Sequence, residues 1–193
     1  MNQWYQYWPG YFKTDWCDHL ISIAKAMPVV EGRVGHGGDG IVVDKAMRRS
    51  KIRWLPRFDP QFANLCGYME LLFNEANRNA FGFDMKVFHE IQFTEYHAED
   101  EGTYNWHHDT AWVGKTLQRR KLSMVIQLSN PEDYDGGRFE MSGDDCPVPI
   151  DSDAIKPRGT VVVFPSFLRH RVTPVTRGTR YSLVSWMEGP YFR

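Results

Sequence analysis

Trp106-His107-His108-Asp109, read with Phe164-Pro165-Ser166-Phe167-Leu168-Arg169-His170, is the pair of stretches around which this 193-residue chain is organised. A His-x-Asp pair offers an imidazole and a carboxylate from one short segment, and a single later His completes a set of three metal ligands. Two imidazoles and one carboxylate on one face of an octahedron leave three positions open. That suits a ferrous ion that must take up a cosubstrate and O2 together. In an extended strand, residues i and i+2 point to the same face, so His107 and Asp109 converge while His108 points away. A slip to His108 would pair adjacent residues, whose side chains leave opposite faces, so His107 is the expected ligand.

Working outward, the chain changes character at Met85. β-type runs lie near Lys86–Tyr96, Leu122–Leu128, Arg138–Met141, Thr160–Phe164, His170–Val175 and Arg180–Trp186. Turn clusters separate them: Asn130-Pro131-Glu132-Asp133, Asp135-Gly136-Gly137 and Thr176-Arg177-Gly178. Many short strands with regular turns indicate a sandwich or jelly roll. Ahead of them, Thr14 to Met27 reads as a helix with Thr14 as N-cap and Pro28 ending the pattern. A second helix opens at Asp59-Pro60 and carries Phe62, Leu65, Met69, Leu72, Phe73 and Ala76 as one apolar stripe up to about Ala80. Short strands are expected at Ile41–Asp44 and Ser50–Leu55, and the aromatic cluster around Trp4, Tyr5, Tyr7 and Trp8 reads as an edge strand.

The expected architecture is therefore mainly β with flanking helices, a double-stranded β-helix of jelly-roll or cupin-like form behind an N-terminal helical layer. One domain is expected, residues 1–84 supplying helices and supporting strands and residues 85–190 the β core. The glycine-rich Gly32–Gly40 stretch reads as a flap over a cleft or a plain solvent loop. No Gly-Lys-Ser/Thr follows it, which sets aside a phosphate cradle.

A formal net charge of -1 argues against an electrostatic grip on nucleic acid or on an anionic membrane surface. No apolar run is long enough for a membrane span. The start, Met1-Asn2-Gln3-Trp4, has neither the basic nor the apolar region of a secretory signal. Cys17, Cys66 and Cys146 are odd in number and far apart, so reduced thiols and a cytoplasmic location are expected.

Arg180 stands beside the apolar run Tyr181-Ser182-Leu183-Val184-Ser185-Trp186, where an unpaired cation is costly. It shares a strand face with Ser182, and its planar fork suits bidentate capture of a carboxylate. The alternative is an internal Asp or Glu partner. Around the expected mouth of the barrel, Tyr104, Arg138 and Trp186 are candidates for substrate contact, with Trp106 and Trp112 nearby.

Taken together, Tyr104-Asn-Trp-His107-His-Asp109, Asp135-Gly-Gly-Arg-Phe139, Gly159-Thr-Val-Val-Val-Phe-Pro-Ser166, His170-Arg-Val-Thr-Pro-Val175 and Arg177-Gly-Thr-Arg-Tyr-Ser182 resemble the Fe(II)- and 2-oxoglutarate-dependent dioxygenases. The likeness is to the prolyl 4-hydroxylase-like branch and covers Tyr96 to Trp186. Val43-Asp44 and Arg48-Arg49-Ser50 resemble the strand pair that precedes the β-helix in that branch. The resemblance implies iron held by His107, Asp109 and His170. It implies 2-oxoglutarate with its far carboxylate on Arg180 and Ser182, and with Tyr96 and Gln127 in contact. Oxidative decarboxylation to succinate and CO2 would be coupled, through O2, to hydroxylation of an sp3 carbon, with ascorbate as reductant. The implied substrate is a prolyl residue of a protein or peptide; a free amino acid or other small molecule, or a non-catalytic jelly-roll binding module, are the alternatives. A monomer or weak homo-oligomer is expected. Collagen-type members use Lys where this chain has Arg180, so its carboxylate anchor resembles the oxygen-sensing and bacterial members instead.

Overall fold

The computed structural model describes residues 4–35, 41–110, 118–142 and 151–192. In chain order its elements are β1 (Gln6–Trp8), α1 (Thr14–Lys25), β2 (Val30–Glu31), β3 (Val34–Gly35), β4 (Ile41–Val42), β5 (Arg48–Arg49), β6 (Lys51–Leu55) and α2 (Ala63–Ala76). They continue with β7 (Val87–His97), β8 (Thr103–His107), β9 (Arg119–Gln127), β10 (Tyr134–Gly136), β11 (Phe139–Ser142), α3 (Ser152–Ile155), β12 (Val161–Pro165), β13 (Arg169–Val172) and β14 (Val175–Gly189).

Two sheets face each other. The larger runs β1-β12-β9-β14-β7-β6-β2, with β10 pairing onto β14, and the smaller runs β11-β13-β8-β5. The strands of the larger sheet are apolar on both faces because both faces are covered. In β9, Leu122, Met124 and Ile126 pack with Leu65, Met69 and Phe73 of α2, while Val125 joins Phe139, Phe164 and Val172 between the sheets. In β12, Val161 and Val163 take the helical side and Val162 and Phe164 the inter-sheet side. The polar residues interrupting the second face of β9, Ser123 and Gln127, therefore point into the space between the sheets.

The helical layer forms for the reasons read from the sequence, with local differences. The Asp59 carboxylate accepts from the Gln61 backbone N–H, as an N-cap should, but the first turn, Pro60–Phe62, is a tighter 3-10 turn before α2. A π-helical turn, Asn77–Phe81, then carries the chain to Gly82 in the left-handed conformation. Thr14 is the first residue of α1 and not its cap: Lys13 holds that position without a side-chain hydrogen bond. The aromatic stretch near the N-terminus does form an edge strand, with Tyr7 opposite Val162. Of the Gly32–Gly40 loop, residues 36–40 lie outside the described residues, as do Trp112 and Cys146.

Thr176-Arg177-Gly178, expected as a turn, lies inside the continuous strand β14 and pairs with β10. A Cβ at Gly178 would sit 1.9 Å from the Asp133 carbonyl oxygen, so the glycine marks close backbone approach between strands and not a reversal. No helix among the described residues is long and apolar enough to cross a membrane.

Candidate active site

The smaller sheet brings the two ligand histidines together. His170 of β13 lies directly opposite His107 of β8 in the antiparallel register, and their rings are 4.2 Å apart, centre to centre. Asp109 does not share a strand with His107, because β8 ends at His107 and the chain bends. Its backbone N–H and that of Thr110 both donate to the Ser166 carbonyl, at 2.9 and 3.2 Å. The bend, not the strand alternation expected from the sequence, turns the carboxylate inward. His107, Asp109 and His170 then present ligand atoms all within 4.8 Å of one another. Asp109 Oδ1 is 3.7 Å from His107 Nε2, and Oδ2 is 3.4 Å from His170 Nε2.

Each imidazole is oriented by its other nitrogen. His107 Nδ1 lies 2.7 Å from the Asn105 carbonyl, and His170 Nδ1 lies 2.9 Å from the Leu168 carbonyl. A carbonyl can only accept, so Nδ1 carries the proton and Nε2 keeps its lone pair for a metal. His108 faces the other way, with Nδ1 2.5 Å from the Phe167 carbonyl. Asp109 is held from the larger sheet. Ser123 Oγ donates to Oδ2 at 2.7 Å and the Trp186 indole N–H donates to the same oxygen at 2.9 Å. Ser166 Oγ, 2.9 Å from Ser123 Oγ, continues the chain. With Oδ2 so engaged, Oδ1 is left to face an ion.

The electrostatics agree with that division. Burial and the neighbouring His170 push the His107 imidazole down to about 3, which keeps it neutral. Burial alone would raise the Asp109 carboxyl, but the neighbouring His170, with His107 and Arg120, holds it well below its usual range. A neutral imidazole beside an ionised carboxylate is the protonation state that a divalent ion requires.

Deeper between the sheets, Arg180 is only 1% exposed. One terminal nitrogen donates to Gln127 Oε1 at 2.8 Å, while Nε and the other terminal nitrogen have no hydrogen-bond partner. No Asp or Glu among the described residues pairs with it. Its guanidinium lies 5.5 Å from the centre of the Tyr96 ring. Tyr96 is its cross-strand neighbour, and Ser182, buried, is placed opposite Gln127. Two unsatisfied buried nitrogens on one fork are costly, and they fit the carboxylate of a ligand. The Asp135-Gly-Gly-Arg-Phe139 motif acquires a physical reason here. Gly137 has φ +57, and a Cβ on it would come within 2.9 Å of Val175 and 3.0 Å of Arg180 Cδ, so only glycine closes that turn over the arginine. A cavity of about 150 Å³ beside it is lined by Gln127, Tyr134, Gly137, Phe139 and Lys156 among others.

The three candidate substrate contacts fall in different places. Tyr104 stacks on the His107 ring at 3.5 Å, and burial raises its phenol to about 12, so it stays protonated. Arg138 is exposed and lines the cavity beside Gly137. Trp186 is only 4% exposed and spends its N–H on Asp109. Sequence reasoning missed Ser123 and Ser166. The signal for Ser123 was a hydroxyl inside the apolar run Leu122–Leu128; Ser166 gave none beyond its place in a motif.

Comparison with known proteins places the chain among relatives. A bacterial "PKHD-type hydroxylase" from Acidovorax ebreus (strain TPSY) is 43% identical over 94 residues, covering 46% of this chain and 39% of that protein. One from Synechococcus sp. (strain JA-2-3B'a(2-13)) is 37% identical over 106 residues, covering 53% and 44%. The chain thus spans less than half the length of these curated relatives. Among solved structures, a Pseudomonas putida prolyl-4-hydroxylase superposes with a TM-score of 0.70 at 22% identity, over 96% of this chain and 93% of that one. A viral collagen prolyl hydroxylase of Paramecium bursaria Chlorella virus-1 gives 0.69 at 18% identity, over 97% of each chain. A Trichoplax adhaerens prolyl hydroxylase, solved with a hypoxia-inducible-factor peptide fragment, gives 0.71 at 16%, over 95% and 83%. These likenesses establish the double-stranded β-helix fold. The model of the 2OG-Fe(II) oxygenase superfamily matches residues 91–188, which carry all three clustered ligands and Arg180, and the chain belongs to that superfamily.

Proposed function

We propose that this chain is an Fe(II)- and 2-oxoglutarate-dependent hydroxylase acting on an sp3 carbon, with a prolyl residue of a protein or peptide as its substrate and ascorbate as supporting reductant. One observation carries the reading. Two imidazoles and an ionised carboxylate share the inter-sheet space with a buried arginine whose fork is two-thirds unpaired. The first set fits a divalent metal; the second fits the far carboxylate of a cosubstrate.

When bound, iron with 2-oxoglutarate and O2 supplies oxidative decarboxylation to succinate and CO2, coupled to hydroxylation of the substrate. The protein's own part is positional. His107 and His170 present Nε2 because their Nδ1 protons are tied to backbone carbonyls. Ser123 and Trp186 hold Asp109 so that one oxygen faces the metal position. Arg180, with Gln127, Ser182 and Tyr96 around it, receives the remote carboxylate. Tyr104 covers one face of His107 and keeps water from it. The relatives named hydroxylases, and neighbours named prolyl hydroxylases of which one holds a peptide, support a peptidyl substrate. We place the protein in the cytoplasm.

The test is aerobic incubation with Fe(II), 2-oxoglutarate and a library of proline-containing peptides, followed by mass spectrometry. Succinate formation together with one added oxygen on proline is expected. Absence of succinate with the metal bound would leave a binding module.

A further inference from the structure

Two arginines beside the metal ligands form no ion pair with an acidic residue among the described residues. Arg48 of β5 is 6% exposed, and among the described residues its guanidinium donates to the Ser50 hydroxyl and the Arg33 carbonyl. It lies 4.5 Å from the centre of the Tyr104 ring, which in turn stacks on His107. Arg120 of β9 lies 3.7 Å from the centre of the Trp186 ring, the same indole that donates to Asp109. Each cation is thus one aromatic ring away from a metal ligand. On β5 itself Arg49 pairs with Glu101 at 3.2 Å, and on other strands Arg171 pairs with Glu140 at 2.7 Å and Arg53 with Glu95 at 2.8 Å. Neither Arg48 nor Arg120 forms an ion pair with a carboxylate among the described residues, although Glu188 stands opposite Arg120 in the β9–β14 register.

Backbone geometry places Arg120 on this face. In the β9–β14 register Ser123 pairs with Trp186 and Leu122 with Met187, but Glu188 pairs with Arg120, skipping Lys121. Without that bulge Arg120 would share the outward face of Leu122, which packs in the helix-side core. The extra residue restores it to the face of Ser123 and Trp186, over the site.

The charges at the centre make the surplus plain. A divalent ion, Asp109, a bound dicarboxylate and Arg180 cancel one another, so the filled site keeps the two positive charges of Arg48 and Arg120. A partly desolvated cation without a counter-charge is costly, and its ordinary use is capture of an anion.

Resting on the hydroxylase reading above, we infer that the substrate carries a carboxylate close to the carbon that reacts, and that Arg120 receives it while Arg48 adds a second positive charge behind Tyr104. The carboxylate comes either from an acidic residue beside the target in a peptide or from the free carboxyl of an amino acid. Both present the same group to the guanidinium.

The experiment measures binding to the protein loaded with Mn(II) and saturating 2-oxoglutarate, so that Arg180 is already occupied. The probes are two matched pairs: a proline peptide with Glu beside the proline against the same peptide with Gln, and L-proline against L-prolinamide. The carboxylate member of at least one pair binds about tenfold tighter, and which pair responds identifies the source. Arg120→Gln reduces that preference to about twofold or less, and Arg120→Lys, which keeps the charge, retains part of it. Arg48→Gln lowers it independently, and added salt lowers it in the wild type. Equal binding within both pairs, or a preference undiminished in Arg120→Gln and Arg48→Gln, overturns the inference. Substrate-free conversion of 2-oxoglutarate to succinate by the wild type separates the two claims. If it proceeds while no carboxylate preference exists, only this inference fails; if it is absent, the hydroxylase reading fails.

Discussion

Replacing Arg180 by methionine tests whether this arginine is kept for a ligand and not for the fold. In the protein without ligands its fork is buried with two nitrogens unpaired, and each unsatisfied donor costs about 1–3 kcal/mol. Arg180→Met removes both. It also strips Gln127 Oε1 of its 2.8 Å hydrogen bond, a loss of about 1 kcal/mol, and leaves a shorter side chain against Tyr96. The net effect on the ligand-free fold is expected to lie between no change and a gain of about 3 kcal/mol. For a chain of this size that is a Tm unchanged or raised by up to about 10 °C. The effect on 2-oxoglutarate is opposite in sign. With Mn(II) present, cosubstrate at about 100 times its Kd stabilises the wild type by about 2.7 kcal/mol. If losing the charge-assisted pair weakens binding about 100-fold, the same concentration stabilises the variant by only about 0.4 kcal/mol. Scanning calorimetry with no ligand, with Mn(II), and with Mn(II) and 2-oxoglutarate reads all three states. The metal-only shift should survive in the variant. A variant several degrees less stable without ligands, or one that keeps the full cosubstrate shift, would refute the reasoning.

Ser123→Ala and Trp186→Phe each remove one of two donors from Asp109 Oδ2 and are expected to weaken Mn(II) about 10- to 100-fold with the fold retained; unchanged affinity by titration would deny them an orienting role. Gly137→Ala places a methyl against Val175 and Arg180 at φ +57, so lower thermal stability and a raised KM for 2-oxoglutarate are expected, and a neutral result would contradict the close-approach argument. Acid should destabilise the metal-free protein. The His107 imidazole titrates near 6.5 when unfolded but near 3 when folded, so the unfolded chain binds the extra proton between those values and stability falls as pH drops through them. The slope approaches about 1.4 kcal/mol per pH unit from this residue. Urea midpoints of chelator-treated protein from about pH 7 to about pH 5 should fall, and His107→Ala should flatten the dependence; a profile unaltered by the substitution would contradict it.

The parts of this site legible in the sequence are those where a residue type is expensive in its setting. Arg180 beside an apolar strand demands an anion, and a His-x-Asp with a later His beside an apolar strand suggests an ion. Short apolar runs between turn clusters likewise indicate the jelly roll, and apolar stripes at helical spacing the helices behind it. What stayed hidden depends on contacts across sheets. Trp186 looked like a mouth aromatic, but its indole crosses to Asp109, 77 positions away in sequence, and no periodicity reports that. A period of two, the rule that sequence offers, puts Asp109 on a strand face with His107. The structure ends the strand at His107 and uses the Ser166 carbonyl to aim the carboxylate. Arg120 was illegible for a related reason, since a one-residue bulge decides which face it occupies.

The central claim, that His107, Asp109 and His170 grip one ion beside a cosubstrate anchored on Arg180, is tested most directly by a crystal structure grown anaerobically with Mn(II) and 2-oxoglutarate. The account predicts one metal bound by Nε2 of both histidines and by the Asp109 carboxylate, with the far carboxylate of 2-oxoglutarate on the two Arg180 nitrogens that now lack partners. Metal bound elsewhere, or 2-oxoglutarate seated away from Arg180, would contradict it.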